Sequence, residues 1–168
     1  MFCLFFVCVI MSLKQGRAKG NQLRKHSMEL NFNLKNSPFK ISSKLLNILI
    51  NEIQKTGDKL DKQDEFTLSF KDERYSSELG GYHPVEIHLV KIKGLWHFDY
   101  ITDFTYVGCG QDAELAKEID FDFTSGLGFH LYSGDDDIKQ FTELYKIWEM
   151  NFISYFESGV FTTKVTTN

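Results

Sequence analysis

The chain has 168 residues and a mass of 19.5 kDa, the size of one domain that can bury roughly two-thirds of its unfolded surface without disulfides or metal. Sixteen Phe, seven Tyr and two Trp exclude intrinsic disorder, and two prolines exclude a collagen-like or Pro-rich chain. The formal charge of −4 tells against nucleic acid as a partner.

That charge is unevenly spread. The first 27 residues hold five bases and no acid, which leaves 14 bases against 23 acids from Met28 onward, a charge of −9. Met1 to Met11 reads MFCLFFVCVIM, about half the length a membrane-spanning helix needs. Its basic residues follow the apolar run and no small-residue cleavage site comes after, unlike a secretory signal. Residues 1–27 are therefore expected to be a non-native or disordered extension, with Met28 the true initiator and 28–168 a single α+β domain. Cys3 and Cys8 fall in the extension, so Cys109 stands alone in the domain. One cysteine forms no internal disulfide, and the expected setting is cytoplasmic, with no membrane association.

Leu30, Phe32 and Leu34 alternate with Asn31 and Asn33, predicting a short strand or extended arm. Ser42 or Ser43 is placed to cap a helix carrying Leu45, Leu49 and Ile53 on one stripe and ending at Gly57. Phe66, Leu68 and Phe70 predict a half-buried strand. Val85 to Lys91 and Trp96 to Val107 predict a hairpin turning at Lys93-Gly94. Its register would pair Ile92 with Leu95, Val90 with His97, His88 with Asp99 and Glu86 with Ile101. Val85, Ile87, Leu89, Trp96, Phe98 and Tyr100 would then share the core face, and Glu86, His88, His97, Asp99 and Asp103 the polar one.

Asp112 is read as capping a single helical turn through Ala116. Ile119, Phe121 and Phe123, alternating with Glu118, Asp120 and Asp122, predict a strand with one acidic edge. Phe129 to Tyr132 continues after Gly126 and Gly128. Ser133 to Asp137 is read as a turn and helix start, its three acids suiting the positive end of a helix dipole. The spacing of Ile138, Phe141, Tyr145, Trp148, Phe152 and Tyr155 predicts a helix of about 20 residues, and Val160 to Thr167 a last strand. The fold expected is α+β: an antiparallel sheet of five to six strands with two helices packed on one face.

The runs GGYHPVEIHL, YITDFTYVG and ELAKEIDFDF, with IWEMNFISYFESGVF in the last helix, resemble a family of uncharacterised gammaproteobacterial proteins, domain of unknown function 2787. The resemblance extends from Met28 to about Thr166. It implies a small single-domain bacterial protein and brings no activity or catalytic residue.

No familiar catalytic or nucleotide-binding motif is present. The polar hairpin face offers His88 and Asp99 as a catalytic pair, and Glu86, His88, His97 and Asp99 as ligands for Zn²⁺ or Mn²⁺. The plainer reading is a solvated sheet face. Glu118, Asp120 and Asp122 could hold a cation or a basic partner, or simply guard an exposed strand. Cys109, between two glycines, is a candidate nucleophile with His83 or His130 as base. Gly80, Gly81, Tyr82 and His83 form a loop able to present a recognition surface. The function expected is an interaction or binding module with a protein partner and no required cofactor. The alternative is a metal-assisted hydrolase built on His88, His97 and Asp99.

Overall fold

The computed structural model describes residues 30–57 and 62–167. The expected start at Met28 lies outside the described residues. Helix α1 (Ser43–Lys55) begins where predicted: the Ser42 hydroxyl accepts from Leu45 N at 3.2 Å, satisfying one of the free N–H groups of the first turn. Leu45, Leu49 and Ile53 are fully buried. Strand β1 (Glu65–Lys71) buries Phe66, Leu68 and Phe70 on alternate positions. β2 (Val85–Ile92) and β3 (Leu95–Val107) form the hairpin, whose turn sets both Lys93 and Gly94 at positive φ. β4 (Glu114–Asp122), β5 (Leu127–His130) and β6 (Gly134–Asp137) extend the meander. Helix α2 (Thr142–Glu157) then returns the chain to β7 (Thr162–Thr166).

The strands make one seven-stranded sheet, ordered β6-β5-β4-β3-β2-β1-β7, with all neighbours antiparallel. This is an α+β fold, with one strand more than expected. The addition is β6, read from sequence as a helix start. Its backbone pairs instead with β5, and only Asp137 keeps a capping role, accepting from Lys139 N at 2.9 Å. A 3-10 turn at Ile138–Phe141 precedes α2, which is therefore 16 residues long. The helical turn expected at Ala113 is a 3-10 turn at Gly110–Asp112, and β4 already begins at Glu114.

The aromatic residues pack α2 onto the sheet. Trp148 lies edge-on to Phe121 and stacks on Phe152, which meets Phe70 edge-on at 4.9 Å. Phe39, from the segment before α1, stacks on Tyr145 at 4.2 Å. Glu149 ties the two helices, accepting from Ser42 N at 2.9 Å and from the Tyr145 hydroxyl at 3.0 Å. The predicted N-terminal arm makes a single bridge to the hairpin: Asn33 N donates to Trp96 O, and Trp96 N to Asn31 O. Among the described residues, no helix is long and apolar enough to cross a membrane.

Two bulges break the ladder. The expected pairs Ile92–Leu95 and Val90–His97 are observed, but Leu89 pairs with Phe98 and His88 with Tyr100. Asp99 is surplus to the pairing, and Glu86 faces Thr102 instead of Ile101. The second bulge lies between β3 and β4. Asp103 pairs with Ile119 and Phe104 with Lys117, so Glu118 is surplus. A bulge changes the direction of the side chains around it. Ile101 consequently enters the core, and Asp103, expected on the polar face, lies beneath Trp148 of α2.

Candidate functional site

The loop between β1 and β2 is held from within. Buried Asp72 accepts from Arg74 N at 3.0 Å and from Tyr82 N at 3.4 Å. Gly80 N donates to Ser76 O at 2.9 Å. Gly81 has φ +130°, and a Cβ there would sit 3.1 Å from Asp72 Oδ2 and 3.2 Å from Tyr75 Cα, so this position requires glycine. The loop thereby sets Tyr82 edge-on to Tyr155 of α2, ring centroids 4.6 Å apart, and brings the His83 ring within 5.3 Å of Tyr75.

His83 meets the second bulge. Its Nδ1 lies 2.6 Å from Glu118 Oε2 and 3.3 Å from Asp103 Oδ1. The other Asp103 oxygen, Oδ2, accepts from Trp148 Nε1 at 3.2 Å. Asp103 Oδ1 is buried and has no hydrogen-bond donor, so its approach to His83 is a charge contact without hydrogen-bond alignment. The Asp103 carboxylate, and Glu118 with it, raise the His83 pKa above its ordinary 6.5, against the lowering effect of partial burial. A raised folded-state value means that this contribution to stability is complete below pH 6.5 and is lost as pH rises through the folded midpoint. An NMR titration of the His83 ring is expected to show a midpoint above 6.5 that falls in Asp103→Asn. An unchanged midpoint in that variant would contradict the assigned cause.

Beside this cluster a cleft of about 380 Å³ opens between the loop and α2. Tyr82, Trp148, Phe152, Tyr155 and Phe161 give it aromatic walls, Asn151 adds an amide, and His83 and Asp103 lie at its polar end. The volume is within the range of small-molecule sites, which combine apolar walls with a few convergent polar groups.

The other predicted residues are placed apart from it. His88 Nδ1 lies 2.8 Å from Asp99 Oδ2, so this pair is formed, although through the bulge and not by direct cross-strand pairing. His88 Nε2 is 3.9 Å from Glu65 Oε2. Asp99 Oδ1 accepts from the Thr124 hydroxyl at 2.5 Å. Glu86 accepts from the Tyr100 hydroxyl at 2.8 Å, and burial together with Glu86 pushes that phenol's pKa up. His97 lines a separate hollow with Asn33, Pro38 and Phe123. The acids of β4 do not share one face. Asp120 receives Lys117 Nζ and the Thr102 hydroxyl, Asp122 caps a turn through Thr124 N and Ser125 N, and Glu118 turns to His83. Cys109 is exposed in the β3–β4 connection. Both proposed bases are engaged elsewhere: His83 with Glu118, and His130 with the Ser133 hydroxyl at 3.5 Å.

The cleft and the cluster at its polar end thus draw one residue from each of three separate sequence candidates: His83 from the glycine loop and Asp103 from the hairpin, which line the cleft, and Glu118 from the acidic strand, which reaches it through His83. Trp148 and Tyr155, read only as core positions, form its wall.

A family model described as protein of unknown function (DUF2787) matches residues 43–167. The chain is similar to the hypothetical protein VC0508 from the VSP-II pathogenicity island of Vibrio cholerae, with 31% identity over 82% of this chain and 100% of that one, and a TM-score of 0.71. It is also similar to the conserved hypothetical protein VC1805 from pathogenicity island VPI-2 of Vibrio cholerae O1, with 35% identity over 76% of this chain and 95% of that one, and a TM-score of 0.67. VC1805 is described as sharing structural homology with the human P32 protein. Among curated proteins, none matches.

Proposed function

The chain belongs to the DUF2787 family, proteins of unknown function, and from that premise we propose that it is a binding module whose site is the cleft between α2 and the Gly80–His83 loop. The carrying observation is the joining of an aromatic trough to a polar end in one cleft of about 380 Å³. A solvated surface would not need a loop braced by a buried Asp72 and a conformationally demanding Gly81 to present Tyr82 and His83. The ligand class that fits is a small molecule with an apolar or aromatic body and a single polar head directed at His83 and Asp103. The exposed free Cys109 accords with a reducing, cytoplasmic setting.

Indole, benzylamine and benzoate serve as probes. At least one is expected to shift the Trp148 indole and Tyr155 NMR signals in a saturable manner. Asn151→Trp, which fills the cleft from its wall, is expected to abolish the response. Absence of any response to the three probes, or an equal response in Asn151→Trp, would refute the assignment.

A further inference from the structure

We infer that His83, Asp103 and Glu118 form a divalent transition-metal site, of the Mn²⁺ or Zn²⁺ class, at the polar end of the cleft. The inference deepens the binding reading above and rests on it for the role of the open cleft. Among the described residues, these three form a group whose ligand atoms all lie within 4.8 Å of one another. One imidazole nitrogen with carboxylate oxygens is a donor set that suits either ion.

Three details support convergence on an ion over ordinary ion pairing. A single atom, His83 Nδ1, faces both carboxylates, at 2.6 Å and 3.3 Å. Two ligands at about 2.1 Å from an ion lie about 3 Å apart at the right angles of octahedral coordination and about 3.4 Å apart at the tetrahedral angle, so these separations bracket the octahedral spacing and need to open slightly for Zn²⁺. Next, the Asp103 carboxylate is divided. Oδ2 is held by the Trp148 indole N–H, while Oδ1 is buried without a donor. An outer partner that fixes one carboxylate oxygen leaves the other pointed at an ion, as outer-shell groups of metal sites commonly do. Finally, the bulge at Glu118 adds a carboxylate that the ladder does not need, and that carboxylate is turned to His83. Binding would displace the Nδ1 proton to solvent, since a neutral imidazole is the ligand.

The side chains are 36%, 14% and 22% exposed for His83, Asp103 and Glu118, so an ion has access without unfolding. Three protein ligands leave coordination positions free. Those positions would meet the head group of a molecule lying along Trp148 and Tyr155. The proposed ligand thereby becomes one whose head is an oxygen or nitrogen donor.

The experiment uses the full chain, stripped with chelator and titrated with MnCl₂ and, separately, with ZnCl₂. One ion per chain is expected, with Mn²⁺ broadening the indole N–H signal of Trp148 more than that of Trp96. Affinity is expected to fall at least tenfold in Glu118→Gln, which preserves side-chain shape, and about 10–100-fold in Trp148→Phe, the range for loss of an outer-shell partner. His88→Ala, at the other histidine–carboxylate pair, should change affinity less than twofold. Circular dichroism of each metal-free variant verifies folding. No saturable binding, affinity unchanged in Glu118→Gln, or affinity lost in His88→Ala instead would each overturn the site. The two readings fail separately. Loss of metal binding with the probe response intact removes only the metal site, and metal binding without any probe response removes only the cleft ligand.

Discussion

Trp148→Ala is expected to destabilise the domain by about 3–5 kcal/mol, the usual range for truncating a large buried aromatic side chain. The indole is 5% exposed, and its ring meets Phe121, Tyr145 and Phe152. Alanine removes one of the aromatic contacts that join α2 to the sheet, leaving Tyr145 on Phe121 and Phe152 on Phe70. It also removes the donor to Asp103 Oδ2, a loss contained within the same range. Domains of this kind have only about 5–15 kcal/mol of total stability, so little folded protein should remain at elevated temperature. In a thermal melt the midpoint should drop by at least roughly 10 °C. Trp148→Phe separates the two effects, because it retains most of the ring and loses the N–H. A shift of only a few degrees for Trp148→Ala would mean that α2 is not anchored as described.

Gly128→Ala is expected to cost about 1–3 kcal/mol through overpacking. Gly128 lies on β5, opposite Phe121 on one side and Asp136 on the other. A Cβ at this position would stand 2.3 Å from Phe141 Cδ2 and 2.7 Å from Cε2, far inside van der Waals contact. Phe141 is itself buried and sits in the 3-10 turn that leads into α2, so its ring cannot simply swing into solvent. Gly128 does not occupy the left-handed region, so the cost comes from collision and not from backbone strain. Denaturant midpoints of Gly128→Ala, Phe141→Leu and the double variant give a double-mutant cycle. The expectation is that Gly128→Ala costs less in the Phe141→Leu background. Strict additivity would exclude the ring as the source of the clash.

Much of the fold could be read from residue spacing. Leu45, Leu49 and Ile53 fall on one stripe of α1, Ser42 caps it, and all three apolar residues are buried. Phe66, Leu68 and Phe70 alternate into the core as their pattern implied. These elements were legible because one repeating period governs each. β6 was not, because Gly134-Asp135-Asp136-Asp137 lacks any apolar alternation and pairs through its backbone alone. The candidate site was harder still, since it depends on two single-residue irregularities. A signal was present at each. Tyr100-Ile101 places two large apolar residues side by side in an otherwise alternating strand, and Lys117-Glu118 places two charges side by side. Adjacent residues of one kind in a strand are what a bulge leaves in a sequence. The meeting of His83 with Glu118 left no such trace, because it joins a loop to a strand 35 residues further on.

The bulge at Glu118 has a consequence for how the family can vary. The pairs Asp103–Ile119 and Phe104–Lys117 close on either side of this residue without using it. On the β5 side the Glu118 carbonyl accepts from Leu131 N at 2.8 Å, so the sheet uses the backbone of this position and leaves its carboxylate free of the ladder. A lineage could change that side chain with its scaffold intact, and so vary the chemistry there while retaining the same core. Architecture and recognition are in this sense inherited on separate terms, and relatives of the same shape need not share a ligand.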